Sequence, residues 1–278
     1  MTTVLHSISK EELIKKFKEI NACGWIENKR GKNDGAVGNT LEDLLGIPEN
    51  NLPIPNASEW ELKAQRANTS SLLTMFHMEP SPRAMKIVPN ILLQKYGWSS
   101  AGAGEKYPIG EQSFRATLNA RTYTDRGFRV LVNDEQHRVE IQFDSSHINE
   151  RHIVWMRSIK QRVGHLNNFD IEPYWGIDDL FHKAGTKLIN CFYVRADEKT
   201  ELINHTRKSF FLYNYVLKLS HFSLDKFVDA IRQGKIYIDF DARTGHNHGT
   251  KFRIHYNDIP SLYANSEVVL DKRKEKII

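Results

Sequence analysis

The chain has 278 residues, 40% hydrophobic and 26% charged, which is enough for one large domain or two intimate lobes and excludes disorder as the default state. The 39 Lys and Arg against 34 Asp and Glu leave a net charge of +5, an excess that suits a polyanion such as DNA without requiring one. Two distant cysteines, Cys23 and Cys191, exclude a disulfide framework and a cysteine-ligated zinc site, and no apolar run approaches the ~20 residues that cross a bilayer.

The opening stretch MTTVLHSISKEEL has neither the basic nor the apolar region of a signal peptide. With reduced thiols, a cytoplasmic protein with no membrane role is expected. Ser9 to Ala22 reads as an amphipathic helix: Ser9 caps it, Glu12 completes a capping box, and Leu13, Phe17 and Ile20 mark one face. A polar, glycine-rich loop is expected over 28–39. Thr40 then supplies a second cap signal for a short helix that Gly46 stops. Pro48, Pro53 and Pro55 forbid regular helix in the next connection.

Glu59 to Gln65 alternates strictly, with Trp60, Leu62 and Ala64 on one face and Glu59, Glu61, Lys63 and Gln65 on the other. A strand over 71–78 follows a short polar link, so the pair is expected to form a hairpin. Further strands are expected at 113–118, 128–133 and 138–143, the last two joined by a turn at Asn133-Asp134. Beyond Glu172 the pattern predicts a helix (178–185), a strand (187–195) and an aromatic-rich strand (209–218). A helix capped by Ser223 and stopped by Gly234 comes next, then strands at 235–241 and 250–256 around a polar loop. The charged tail 271–276 is expected to fray.

Hydrolysing a phosphodiester needs an activated water and relief of charge on the phosphate, and hard divalent cations bound by carboxylate oxygens supply both. In Glu61-Leu62-Lys63 the pleat puts a carboxylate and an ammonium on one face, roughly 7 Å apart along the chain. Glu61 can hold Mg²⁺, the Leu62 carbonyl can add an oxygen, and Lys63 can position water or stabilise developing charge. Taken alone, E-x-K describes countless exposed strand pairs worth well under ~1 kcal/mol. Its company is more telling: Asn56 stands five residues before Glu61, and Glu42 lies on the short helix upstream.

The run Gly38-Asn39-Thr40-Leu41-Glu42-Asp43-Leu44-Leu45, then Asn51-Leu52, Pro55-Asn56, Glu61-Leu62-Lys63 and Ser71-Leu72-Leu73-Thr74-Met75-Phe76, resembles the catalytic block of MvaI/BcnI-type restriction enzymes. These are PD-(D/E)XK nucleases, and the mismatch-repair nickase MutH shares their outline. Looser matches are Tyr174-Trp175 leading into Lys187-Leu188, and His246-Asn247-His248-Gly249-Thr250-Lys251-Phe252-Arg253-Ile254. The resemblance is dense at 35–83 and 223–256. It implies a mixed α/β core with a central mixed sheet flanked by helices and a second, DNA-recognition lobe. The lobes are expected at about 1–170 (catalytic) and 171–278 (mainly recognition), forming one nuclease domain.

Position by position, Glu61 and Lys63 match the catalytic carboxylate and lysine, and Glu42 matches the helical glutamate. Asn56 departs from the pattern, because the family has an aspartate there. An amide keeps one neutral oxygen but loses the charge and turns an NH₂ donor toward a metal. Glu59, on the same strand face, reads either as a substitute for it or as an ordinary exposed residue. The resemblance further implies a monomer that cuts double-stranded DNA with Mg²⁺. Mn²⁺ is expected to substitute, and Ca²⁺ to support binding without cleavage.

Arg243, His246, His248, Lys251 and Arg253 cluster in a loop and strand that the resemblance places in the major groove, where Arg and His donate to guanine edges. Asp241 lies in the same region. His246 and His248 have no third ligand at metal-binding spacing, so zinc is not expected. Lys29, Arg30 and Arg66 are expected to touch phosphates, which orient a duplex without reading it. Gly31, Gly35 and Gly38 lack a following Gly-Lys-Ser/Thr, so no nucleotide is implied. The favoured function is a type II restriction endonuclease with a cognate DNA methyltransferase as functional partner. The rivals are a MutH-like nicking enzyme and a catalytically silent DNA-binding protein.

Overall fold

The computed structural model describes residues 8–31, 33, 35–47, 57 and 59–273. Helix α1 (Lys10–Ala22), strand β1 (Ile26–Glu27) and helix α2 (Ala36–Leu45) come first. Strands β2 (Glu61–Arg66) and β3 (Leu73–His77) follow, then a π-helical turn at Val88–Leu93 that runs into α3 (Gln94–Tyr96). The middle of the chain forms β4 (Trp98–Ser99), β5 (Gln112–Leu118), β6 (Arg126–Asn133), β7 (Arg138–Ile148) and α4 (Ile153–Val163). Next are β8 (Tyr174–Gly176), α5 (Ile177–Leu188), β9 (Asn190–Ile203) and β10 (Thr206–Phe222). The chain closes with α6 (Leu224–Arg232), β11 (Ile236–Arg243), β12 (His246–Asn247), β13 (Lys251–Ile254) and β14 (Tyr263–Asp271).

Two compact units divide these elements. One takes the described residues of 1–71, 184–223 and 260–278, and the other takes 72–183 and 224–259. The units interleave along the chain, so they do not coincide with lobes split near residue 170. The reason is strand pairing: β2 completes its ladder with β9, and β3 with β13, each far away in sequence.

In the first unit β10 pairs antiparallel with β9, β1 and β14, and β2 adds to β9 in parallel. The register from Glu61↔Cys191 to Arg66↔Ala196 sorts β2 into two faces. Leu62 and Ala64 join Phe192, Val194 and Ala196 under the apolar faces of α1 and α2, where Leu13, Phe17, Val37 and Leu41 are buried. Phe192 is fully buried at the centre, with ring centroids 5.2 Å from Phe17 and 4.6 Å from Trp60. Glu61, Lys63 and Gln65 take the opposite face, beside Cys191, Tyr193 and Arg195.

Helix α1 forms as its pattern demands, with Ser9 accepting from the Glu12 amide. Three expectations are corrected. The 71–78 strand does not form a hairpin with β2, because β3 pairs with β13 in the other unit's sheet. Helix α2 begins at Ala36, inside the expected loop, because Ala36, Val37, Leu41 and Leu45 make one buried stripe; Thr40 is buried mid-helix rather than capping it. Gly46 does stop it, at φ +72°. The strand expected from 187 starts at Asn190, since α5 continues through Leu188.

The second unit holds a sheet ordered β3-β13-β11-β5-β4, with β12 turning back on β11, and a second sheet, β6-β7-β8. Strand β11 alternates cleanly: Ile236, Ile238, Phe240 and Ala242 are buried, and Tyr237, Asp239, Asp241 and Arg243 are half-exposed. On the buried side, Phe114 of β5 meets Phe240 and Phe128 edge-on at 5.5 and 5.3 Å. Helix α6 buries Phe227, Ala230 and Ile231 as expected, and Gly234 ends it at φ +68°. Helix α4 and strand β14 have no counterpart in the sequence reading.

Because Phe192 joins both helices' core to the strand that carries Glu61, Phe192→Ala should cost about 3–5 kcal/mol of stability. Urea unfolding followed by tryptophan fluorescence measures this. A loss under about 1 kcal/mol would mean the ring does not anchor the unit.

Candidate active site

Glu61 opens β2 on the face turned away from the α1–α2 core, and it is only 1% exposed. Lys63, two residues on, brings its Nζ to 2.7 Å from Glu61 Oε1. A second ammonium arrives from the last turn of α5, where Lys187 Nζ lies 3.6 Å from the same oxygen. Both lysines are mostly buried, with side chains 18% and 23% exposed. This is not the wet strand pair that E-x-K usually denotes. Here desolvation costs several kcal/mol per ion, and the two ammoniums offset it at Oε1 alone.

Glu61 Oε2 is buried and accepts no hydrogen bond. Leaving such an oxygen unsatisfied costs about 1–3 kcal/mol, more when it is charged. A desolvated anionic oxygen with no donor is the ligand a hard divalent cation takes. Among the described residues no three His, Cys, Asp or Glu side chains converge into a metal-holding group. From them, Glu61 and the Leu62 carbonyl are the candidates for Mg²⁺, and Asn56, named with them, lies outside the described residues.

Neighbouring side chains isolate this carboxylate. Cys191, opposite Glu61 in the ladder, is fully buried, and its thiol is pushed up to about 12 by burial first and by the Glu61 charge second. It is therefore neutral, neither a ligand nor a nucleophile. Tyr263 is raised well above its ordinary value, by burial and then by the same two neighbours. Further along the face, Gln65 donates to the Ser71 carbonyl at 2.6 Å and accepts from the Tyr193 hydroxyl at 3.0 Å, which locks the strand end.

Glu42 sits half-buried on α2, beside the buried Leu41 and the Asp43 that holds Arg30. Glu59 is exposed in the turn before β2, off the strand. Lys187 was given no site role by sequence reasoning, which placed it at the start of a strand and in the looser Lys187-Leu188 match. Its only local signal is a cation in a helix's last turn, and that reads as a dipole partner.

The cations expected at phosphates stand in the first unit. Lys29 is exposed. Arg30 forks onto Asp43 at 2.7 and 2.5 Å, which holds that carboxyl below its ordinary value through the hydrogen bond first. Arg66 pairs with Glu198 at 2.7 Å and bonds the Asn33 carbonyl at 3.2 Å. Arg66, Lys208 and Asn28 line an open pocket of about 550 Å³.

The expected base readers fall in the second unit. Arg243 ends β11, and a tight turn at Thr244-Gly245, with Gly245 at φ +71°, pairs it with His246. The rings of His246 and His248 are exposed and stack at 6.0 Å. Lys251 and Arg253 lie on β13, on the same half-exposed face as Asp239 and Asp241. Nearly every cation there meets a carboxylate: Arg243 meets Glu111 (3.1 Å), Arg253 meets Asp239 (3.0 Å), and Asp241 receives Arg115 (2.8 Å) and Lys251 (3.7 Å). Arg243 also lies over the Tyr107 ring at 4.9 Å. Alternating fixed donors and acceptors suit base edges better than a row of phosphates.

A sequence profile of the MvaI/BcnI restriction endonuclease family matches residues 14–263. The chain belongs to that family. A sequence search of curated proteins gives no significant match. Among solved structures, the restriction endonuclease MvaI–cognate DNA substrate complex is 22% identical, with a TM-score of 0.73 over 95% of this chain and all of that one. MvaI in the absence of DNA is 20% identical, with a TM-score of 0.51 over 97% of this chain and all of that one. At these identities the likeness is one of fold, and it supports a PD-(D/E)XK-like mixed α/β core. Among the described residues, the Glu61 face is the candidate for the nuclease site of such an enzyme.

If the unsatisfied Glu61 oxygen is the metal ligand, removing its charge should abolish metal binding and also leave two buried ammoniums unpaired. Glu61→Gln should lower stability without metal by about 3 kcal/mol, because it leaves the mostly buried Lys63 and Lys187 ammoniums without the carboxylate they share. Mn²⁺ should then raise the melting temperature of the parent protein but not of the variant. Equal Mn²⁺ shifts in both proteins would place the metal elsewhere.

Proposed function

We propose that this protein is a type II site-specific deoxyribonuclease that binds double-stranded DNA and hydrolyses it with Mg²⁺. The observation that carries this reading is Glu61: a carboxylate 1% exposed, with two ammoniums on one oxygen and no donor on the other. Mg²⁺, held by Glu61, the Leu62 carbonyl and residue 56, would supply an activated water and neutralise charge on the phosphate. Mn²⁺ would substitute, and Ca²⁺ would support binding alone.

Lys63 and Lys187 hold the Glu61 carboxylate in place and direct two ammoniums into the site, where they stabilise charge on a phosphate oxygen and orient water. Glu42 adds a further carboxylate from α2. Lys29, Arg30 and Arg66 would contact backbone phosphates. Arg243, His246, His248, Lys251 and Arg253 would read base edges, with Glu111 and Tyr107 holding the Arg243 fork in one orientation. The protein would act as a cytoplasmic monomer, paired in function with a methyltransferase that protects the host's own sites.

Asn56 favours a second reading, a DNA-binding protein with weakened or silent catalysis. An amide there leaves one anionic ligand from this pair, and Mg²⁺ dehydrates reluctantly for so few charges. Single-turnover cleavage of plasmid DNA across a Mg²⁺ titration tests both. Asn56→Asp should raise cleavage by at least ~10²-fold, about 2.7 kcal/mol of transition-state stabilisation. In that background Glu61→Ala should abolish cleavage, and Lys63→Ala or Lys187→Ala should lower it by about 10²-fold or more, with DNA binding in Ca²⁺ intact. Near-parental rates for these variants would overturn the assignment. An efficient parent unchanged by Asn56→Asp would remove residue 56 from the metal site.

A further inference from the structure

The second unit carries a cluster of cations that the nuclease reading does not use. It lies on the Phe114 side of the β11–β5 sheet, away from the face that holds Arg115 and Asp241. Phe114 meets Trp98 of β4 at 5.3 Å, and Trp98 meets Trp155 of α4 at 6.2 Å. Between α4 and β4 runs an open groove of about 630 Å³ that Arg126, Arg151, His152 and Arg162 enter from different elements.

Charge in this groove does not balance. Asp125 is the carboxylate these side chains share: Arg151 bonds it closely, the His152 ring lies 2.7 Å away, and Arg126 lies 3.7 Å away. Arg162 donates only to the Ser158 side chain and to the carbonyls of Gln94, Gly97 and Ser158. Helix α4 contains no acidic residue. Arg126 stands over the Trp98 ring at 4.2 Å and near Trp155 at 5.5 Å, and its Nε is buried with no acceptor. Burial first, and then the Arg151 charge, hold its guanidinium below the usual arginine range despite Asp125.

A partly desolvated guanidinium on an indole face, sharing its one carboxylate with Arg151 and lining the same groove as Arg162, leaves room for one further component: an oxyanion. We propose that this groove is a binding site for a phosphate group, separate from the base-reading face. Arg126 provides the fixed, partly desolvated donor at its floor. Arg151 and Arg162 close on the anion from α4's two ends. Trp98 and Trp155 exclude water from one side, which strengthens each charge interaction. The phosphate is either a phosphodiester of nucleic acid or a free ion, since both present the same oxygens. The site stands on its own geometry, and failure of the Glu61 nuclease reading leaves it intact.

Val154 gives a test that spares the floor. It lines the groove at the start of α4, 75% exposed, so a charged side chain there meets no packed neighbour. In the folded protein, titrated inorganic phosphate should shift the NMR signals of the Trp98 and Trp155 indole N–H groups and leave those of Trp25, Trp60 and Trp175 unmoved. Val154→Glu should weaken that affinity about threefold to tenfold, and Val154→Lys should strengthen it by a similar factor. Opposite responses to opposite charges distinguish an anion site from damage to the fold. A 20-base-pair duplex of random sequence separates the sources. Movement of the same two indoles by the duplex makes nucleic-acid backbone the ligand, and movement by inorganic phosphate alone makes it the free ion. If neither moves them, or both Val154 variants bind like the parent, there is no phosphate site.

Discussion

The site depends on one desolvated carboxylate. Glu61 sits on a strand whose other face is the hydrophobic core, so it cannot swing to water without pulling Leu62 out of place. Its Oε1 is held by Lys63 at 2.7 Å and Lys187 at 3.6 Å, while Oε2 is left without a donor. The fold therefore maintains a half-compensated charge, at a cost that hydrophobic packing around Phe192 offsets. Apolar side chains of similar volume in place of all three charged groups would be as stable or more so. Strained or unsatisfied groups of this kind tend to gather at functional sites.

The two units solve different electrostatic problems. In the first, charge is concentrated at a buried point suited to a metal and a phosphate. In the second, the half-exposed face of β11, β13 and β5 spreads charge into paired donors and acceptors, and Glu111, only 5% exposed, fixes the Arg243 fork. Pairing lowers the net field of that face but preserves its hydrogen-bonding pattern, which is what distinguishes one base edge from another. The α4 groove differs from both, because its arginines exceed its carboxylates.

Much of this was legible in the chain itself. Period-2 alternation around Glu61 placed it and Lys63 on one face, and the helices at 10–22 and 224–232 followed their apolar spacing. Two kinds of information were not local. Whether the polar face of β2 is wet or dry depends on β9 and α5, which arrive from more than a hundred residues away in sequence, so the burial of Glu61 and the approach of Lys187 could not be read. Short polar links also look like hairpin turns whether or not their strands pair, and the link after Arg66 leads out of one sheet into another. Residue 56, where the sequence departs from the family's aspartate, lies outside the described residues, so its chemistry rests on the sequence.

The most direct measurement is a crystal structure of the protein grown with Mn²⁺, with diffraction collected at the manganese absorption edge. The account requires an anomalous peak within about 2.1–2.6 Å of Glu61 Oε2, with Lys63 and Lys187 still on Oε1. A peak elsewhere, or a protein donor found hydrogen-bonded to Glu61 Oε2, would contradict it.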